Sequence, residues 1–104
     1  MNIAVDYDDT YTRDPIFWDL MIDLAQSRGH RVYCITARST RHAEEVLDDL
    51  EKRLGRDAIL FTGGQAKRAY AFSKGICIDV WVDDDPGMIL TGIKVEDGVG
   101  SLWE

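Results

Sequence analysis

Positive charge is what this chain of 104 residues lacks most: 12 lysines and arginines stand against 19 aspartates and glutamates, a net charge of −7. That balance gives no long-range attraction to nucleic acid or to an anionic membrane, so a polyanionic partner could be held only by a local basic rim. Apolar runs near the roughly 20 residues of a membrane span are missing, and so is any amino-terminal signal-like segment; a cytoplasmic protein with no membrane partner is expected. Two cysteines cannot build the disulfide framework of a small secreted domain. Cys34 and Cys77 both lie in apolar, strand-like runs and are expected as buried thiols in a reducing compartment, with a single bridge between them as the alternative. Repeats, low-complexity segments and linkers are absent too. With 45% hydrophobic content, residues 1–104 are read as one domain with a modest core.

What the chain does contain is an alternation of short apolar runs with amphipathic stretches, which points to an α/β fold in which helices cover a parallel sheet. Strands are expected at 2–6, 31–36, 58–61 and 77–82. A helix over 15–28 carries Phe17, Leu20, Met21 and Leu24 at helical spacing, with Asp14 as its cap before Pro15 and Gly29 as its stop. A second helix over 40–54 repeats the pattern with Val46, Leu47, Leu50 and Leu54, and a third over 65–74 ends at Gly75. Beyond Pro86 the signal weakens to a helical turn at Met88, Ile89 and Leu90 and a short edge strand over 91–95. Trp18, Trp81 and Trp103 are read as packing residues rather than a stacking platform.

Parallel strands joined by right-handed crossovers put their carboxyl ends at one edge, where open sheets of this class bind ligands. The first strand delivers Asp6, Asp8 and Asp9 to that edge, the second Thr36, Ala37 and Arg38, the fourth Asp83, Asp84 and Asp85; the helix before the fourth strand starts near Lys67. Carboxylates gathered at the end of a buried strand must be hydrogen-bonded, protonated or neutralised by a cation. Magnesium suits such a cluster, since it takes few protein carboxylates and keeps water or phosphate oxygens in its other positions. Each motif also has a plainer reading. Asp8, Asp9 and Thr10 could form an acidic turn with a helix cap, Asp83 to Pro86 could be a turn, Thr36 a strand end and Lys67 a solvated lysine.

Taken in chain order, Asp6-Tyr7-Asp8-Asp9-Thr10, Ile35-Thr36, Lys67 and Val82-Asp83-Asp84 resemble the four motifs of the haloacid dehalogenase superfamily of phosphotransferases. The resemblance spans residues 2–86. It implies a three-layer α/β/α Rossmann-like core with a mostly parallel sheet. It also implies a magnesium-dependent phosphomonoester hydrolase working through an aspartyl-phosphate. Asp6 would attack phosphorus, and Asp8, with a pKa raised by acidic neighbours, would serve as general acid and base. Thr36 and Lys67 would hold the phosphoryl oxygens. Magnesium would lie between Asp6, the backbone carbonyl of Asp8, and the Asp83 and Asp84 pair. Lys74, one helix end away, is the alternative to Lys67.

Larger members of that superfamily carry a cap domain after the first motif or before the lysine. Here Tyr11 to Asp14 and Thr62 to Ala66 leave no room for one. An open site suits a phosphate on a bulky substrate, such as a nucleotide or the terminal phosphate of a polynucleotide, or a site closed by a neighbouring subunit in a homo-oligomer. Arg38 is expected on the rim, where a guanidinium can pair bidentately with a second anionic group of the substrate. Its Thr-x-Arg setting is similar to that in the 3′-phosphatase domains of polynucleotide kinases, with Arg13, Arg41 and His42 as further rim residues; the alternative is that Arg38 pairs with a neighbouring acid. Two other functions stay open. A receiver-like signalling domain is disfavoured because Phe61-Thr62-Gly63 offers no acid after the third strand, and a catalytically silent binding protein of the same fold is disfavoured by the intact Asp6 and Asp8.

Overall fold

A computed structural model describes residues 1–96 and 99–102. Four short strands, β1 (Asn2–Val5), β2 (Arg31–Thr36), β3 (Ile59–Phe61) and β4 (Val80–Val82), form an all-parallel sheet in the order β3-β2-β1-β4. Their apolar runs follow from burial on both faces. Ile3, Val5, Val32, Cys34, Ile59 and Phe61 point into one core with Val46 and Leu50, whereas Ala4, Tyr33 and Ile35 point the other way and meet Ala71. Helices α1 (Pro15–Ser27) and α2 (Glu44–Leu54) cover the first face and α3 (Lys67–Ser73) the second, giving three layers. A last helical turn, α4 (Gly87–Leu90), follows β4. Among the described residues no helix is long and apolar enough to cross a membrane.

Local chemistry sets the helix ends. The Asp14 side chain accepts a hydrogen bond from the Phe17 amide at 3.2 Å, and Pro15 occupies the first helical position, where its missing N–H costs nothing. In α2 the acids Glu44 and Glu45 lie in the first turn and Lys52 and Arg53 in the last, matching the helix dipole, and Gly55 at φ 88° stops it.

Several boundaries differ from the sequence reading. Residues Thr40–His42 form a separate 3-10 turn, so α2 begins only at Glu44. The fourth strand starts at Val80 instead of residue 77, which leaves Cys77 exposed while Cys34 is buried; both thiols are free. Carboxyl-terminal residues form an antiparallel pair, β5 (Ile93–Glu96) with β6 (Val99–Leu102), as a sheet of its own rather than an edge strand of the main one. Trp18 and Trp81 pack against the two cores as partly buried residues. Trp103 lies outside the described residues.

On α1 the spacing of Phe17, Leu20 and Leu24 does not mark the packed face. The helix buries Ile22 and Ala25, with Trp18 and Met21 partly buried, and leaves Phe17, Leu20 and Leu24 exposed.

Gly92 packs against the loop that leads into α3. A Cβ there would lie 2.8 Å from the Gly64 carbonyl oxygen and 3.2 Å from the Ala66 nitrogen, both backbone atoms with little freedom to retreat. Gly92→Ala should therefore cost about 1–3 kcal/mol, read as a lower midpoint in denaturant melts. An unchanged midpoint would show that the loop yields freely.

Candidate functional site

The chain steps from β1 outward to β2 and β3, then crosses the sheet to add β4 on the other side of β1. This reversal opens a crevice at the carboxyl ends of β1 and β4. Asp6 follows β1 directly, its amide donating to the Val82 carbonyl at 2.9 Å, and Asp83 and Asp84 follow β4. Strand pairing thus brings together acids that are 77 positions apart in the chain, and their carboxylate oxygens lie within 4.8 Å of one another.

Into this group reaches Lys67, the first residue of α3, 2% exposed. Its ammonium donates to Asp6 Oδ1 at 2.8 Å and to Asp83 Oδ2 at 2.6 Å. Burial by itself would depress the ammonium, but the two carboxylates outweigh it and hold the Lys67 pKa above its ordinary value. Asp6 is 7% exposed. Burial pushes its carboxyl up to about 7, with Lys67 pulling down and the nearby Asp84 and Asp83 pushing up. Lys74 lies at the far end of the same helix, over the Tyr70 ring at 5.3 Å.

A residue that sequence reasoning had placed only within the first motif or as a cap completes the bridge. The Thr10 hydroxyl lies 3.5 Å from Asp6 Oδ2 and 3.2 Å from Asp84 Oδ1, and it accepts from the Asp84 amide at 3.2 Å. It ties the β1 and β4 loops to each other. Its one sequence signal was its place four residues after Asp6. Asp9 takes a left-handed backbone at φ 62° and its amide donates to Thr12, while the Asp85 amide donates to Asp83 Oδ1 at 3.0 Å; both behave as turn residues.

Asp8 departs from expectation. Both its oxygens accept from Arg38, from Nη2 at 2.8 Å and from Nε at 2.9 Å. Those hydrogen bonds hold the Asp8 carboxyl below the usual carboxylate range instead of raising it; within the cluster the raised carboxyl is that of Asp6. Acidic neighbours do not set Asp8 because the guanidinium, not another acid, is its nearest charge. The rest of the Arg38 fork reaches the His42 carbonyl at 3.1 Å and Glu45 at 3.2 Å, and the group stacks over the Tyr7 ring at 5.0 Å. Arg38 therefore spends its donors within the chain.

These groups surround a cleft of about 190 Å³ lined by Asp6, Asp8, Ala37, Lys67, Asp83 and Asp84 among others. Thr36 does not line it. Thr36 is 1% exposed and its hydroxyl accepts from the Arg38 amide at 3.2 Å, closing the turn that presents Ala37. Arg13, Arg38, Arg41 and His42 are not among the lining residues either, and Arg38 meets the cleft only through Asp8.

Electrostatics favour a cation here. Asp8 and Glu45 share the Arg38 guanidinium, and Asp6, Asp83 and Asp84 share one ammonium. With all three ionised, two negative charges are left to compensate. The donor set is carboxylate and hydroxyl oxygen, which suits a hard divalent ion. Compared with known proteins, the chain matches no family model, no curated protein and no solved structure.

Proposed function

We propose that the chain is a magnesium-dependent phosphomonoester hydrolase of the haloacid dehalogenase type, acting on a nucleotide or on the terminal phosphate of a polynucleotide. The observation that carries this reading is the buried Lys67 shared by Asp6 and Asp83 at the switch point of a parallel sheet. A lysine so deeply buried holds an anion site in place, and its charge is the kind a transferred phosphoryl group needs.

Asp6, which lines the cleft beside Lys67, attacks phosphorus; the bond from phosphorus to the ester oxygen breaks, and the leaving oxygen takes a proton. Water then attacks the aspartyl-phosphate, releasing phosphate and restoring Asp6. Lys67 holds the phosphoryl oxygens, and Thr36 acts from behind by bracing the turn that presents Ala37 to the cleft. Asp6, Asp83, Asp84 and the Asp8 carbonyl would hold magnesium, which when bound offsets their charge and that of the phosphoryl group.

Asp8 can donate a proton only after Arg38 releases it, since a carboxylate with both oxygens on a guanidinium is ionised. A substrate with a second anionic group supplies the competitor: Arg38 turns to that group, and the freed Asp8 takes a proton from solvent and passes it to the leaving oxygen. Selectivity in an open cleft then comes from Arg38. Arg38→Ala should lower kcat/KM on substrates with two anionic groups roughly 30- to 150-fold more than on a simple aryl phosphate. Arg38→Lys should restore only part of that difference, because an ammonium has no planar fork. Equal losses on every substrate would place Arg38 on the transferred phosphoryl group instead.

The deciding experiment is a phosphate-release screen over nucleotides, sugar phosphates and 3′- or 5′-phosphorylated oligonucleotides, with magnesium and with chelator. Release that requires magnesium and vanishes in Asp6→Asn supports the reading. No release from any class, by protein that binds magnesium, would favour the silent binding protein.

A further inference from the structure

Helix α1 carries large apolar side chains on its solvent side. Ile16, Phe17, Leu20 and Leu24 are 75%, 54%, 66% and 64% exposed. Ile16, Leu20 and Leu24 follow one another at four-residue steps and Phe17 stands beside them, so the four form one stripe about 12 Å long. Side chains of this size at these exposures leave an apolar patch of roughly 500 Å², at the upper end of what a monomer ordinarily shows. Among the residues whose exposure is described, the other exposed large apolar ones, Met1, Phe72, Val80 and Leu90, stand singly at different places in the fold.

We infer that this stripe is an interface between two copies of the chain, paired antiparallel along α1. Two features select a second copy. Two such faces together remove roughly 1,000 Å² from water, the lower bound for a specific protein–protein interface, so the stripe is large enough against its own image. The acids flanking it are partly offset before any partner arrives. Asp19 and Asp23 are paired with Arg53 of α2 at 3.3 Å and 2.8 Å within the same chain. A twofold arrangement puts Leu20, the midpoint of the stripe, next to the Leu20 of the other copy. The inference stands independently of the proposed hydrolase activity.

Sedimentation velocity on the full chain at about 100 µM tests it. Wild type should sediment at twice the chain mass, and Leu20→Glu with Leu24→Glu should cut the dimer fraction at least about tenfold while melting temperature and circular dichroism hold. In a Cys77→Ser background, Leu20→Cys should give a covalent dimer under mild oxidation and Phe72→Cys, on the opposite layer, should not. A wild-type monomer at that concentration would assign the stripe to some other partner and overturn the inference. So would a dimer that survives the two glutamates, or equal cross-linking through Phe72→Cys.

Discussion

Asp6→Asn should abolish phosphate release, by at least about 10⁴-fold, while the sheet stays folded. An amide oxygen can still accept from Lys67, and the Asp6 backbone amide keeps its bond to Val82, so the loop has no reason to move. What disappears is the nucleophile, since an amide does not displace an alkoxide from phosphorus. Phosphate release measured at saturating magnesium, beside a thermal melt of the same preparation, separates lost chemistry from lost fold. Asp8→Asn should differ in kind. It should retain magnesium, whose contact there is the backbone carbonyl, and lose roughly 100-fold in turnover as acid–base catalysis fails. Near-wild-type release by Asp6→Asn would end the aspartyl-phosphate mechanism, whatever Asp8 does.

The sheet was legible because buried parallel strands need continuous apolar runs, and the four runs stand apart from one another in the chain. The start of the fourth was not, because a strand stops where its partner stops. Asn2 opens β1, and its carbonyl accepts from the Asp79 amide at 2.8 Å, so Cys77 has no residue opposite it on β1 and leaves the sheet despite its apolar neighbours. Helix α1 failed for another reason. It is apolar nearly all round, with Trp18, Met21, Ile22 and Ala25 on one side and Ile16, Phe17, Leu20 and Leu24 on the other, and periodicity alone does not say which side meets the sheet.

The order of Asp6, Lys67 and Asp83 along the chain told which residues come to the crevice edge, while Thr36 stays buried behind Ala37. It could not tell how they pair. The Arg38–Asp8 contact joins residues 30 apart through the packing of two loops, and neither local spacing nor composition carries that information. The Thr10 bridge to Asp84 spans 74 positions and is invisible for the same reason.

Lys67→Met should be the most destabilising single change at the site. Methionine fills similar volume but leaves Asp6 and Asp83 facing each other, both nearly buried, without the ammonium that separates them. Removing one partner of a buried ion pair costs about 3–5 kcal/mol, because the remaining charge is left uncompensated. The pH dependence gives the test its sign. Burial already raises Asp6 from 3.8 to about 7 in the folded wild type, so between those values the native state holds a proton that the unfolded chain has lost. Stability in chelator therefore falls as pH rises through that window, and flattens above it. Without Lys67 the carboxyl rises further, so the variant should approach wild-type stability near pH 4 and fall away more steeply and over a wider range as pH increases. Magnesium at concentrations above its dissociation constant should recover part of the loss by binding only the folded state, more in the variant than in wild type. An Asp83→Asn, Asp84→Asn protein should be more stable than wild type in chelator and should lose the magnesium response. Chemical melts across pH 4 to 8, with magnesium and with chelator, give all these quantities together. Were Lys67→Met to cost less than about 1 kcal/mol at neutral pH with a profile parallel to wild type, the buried ammonium would not be what balances these carboxylates.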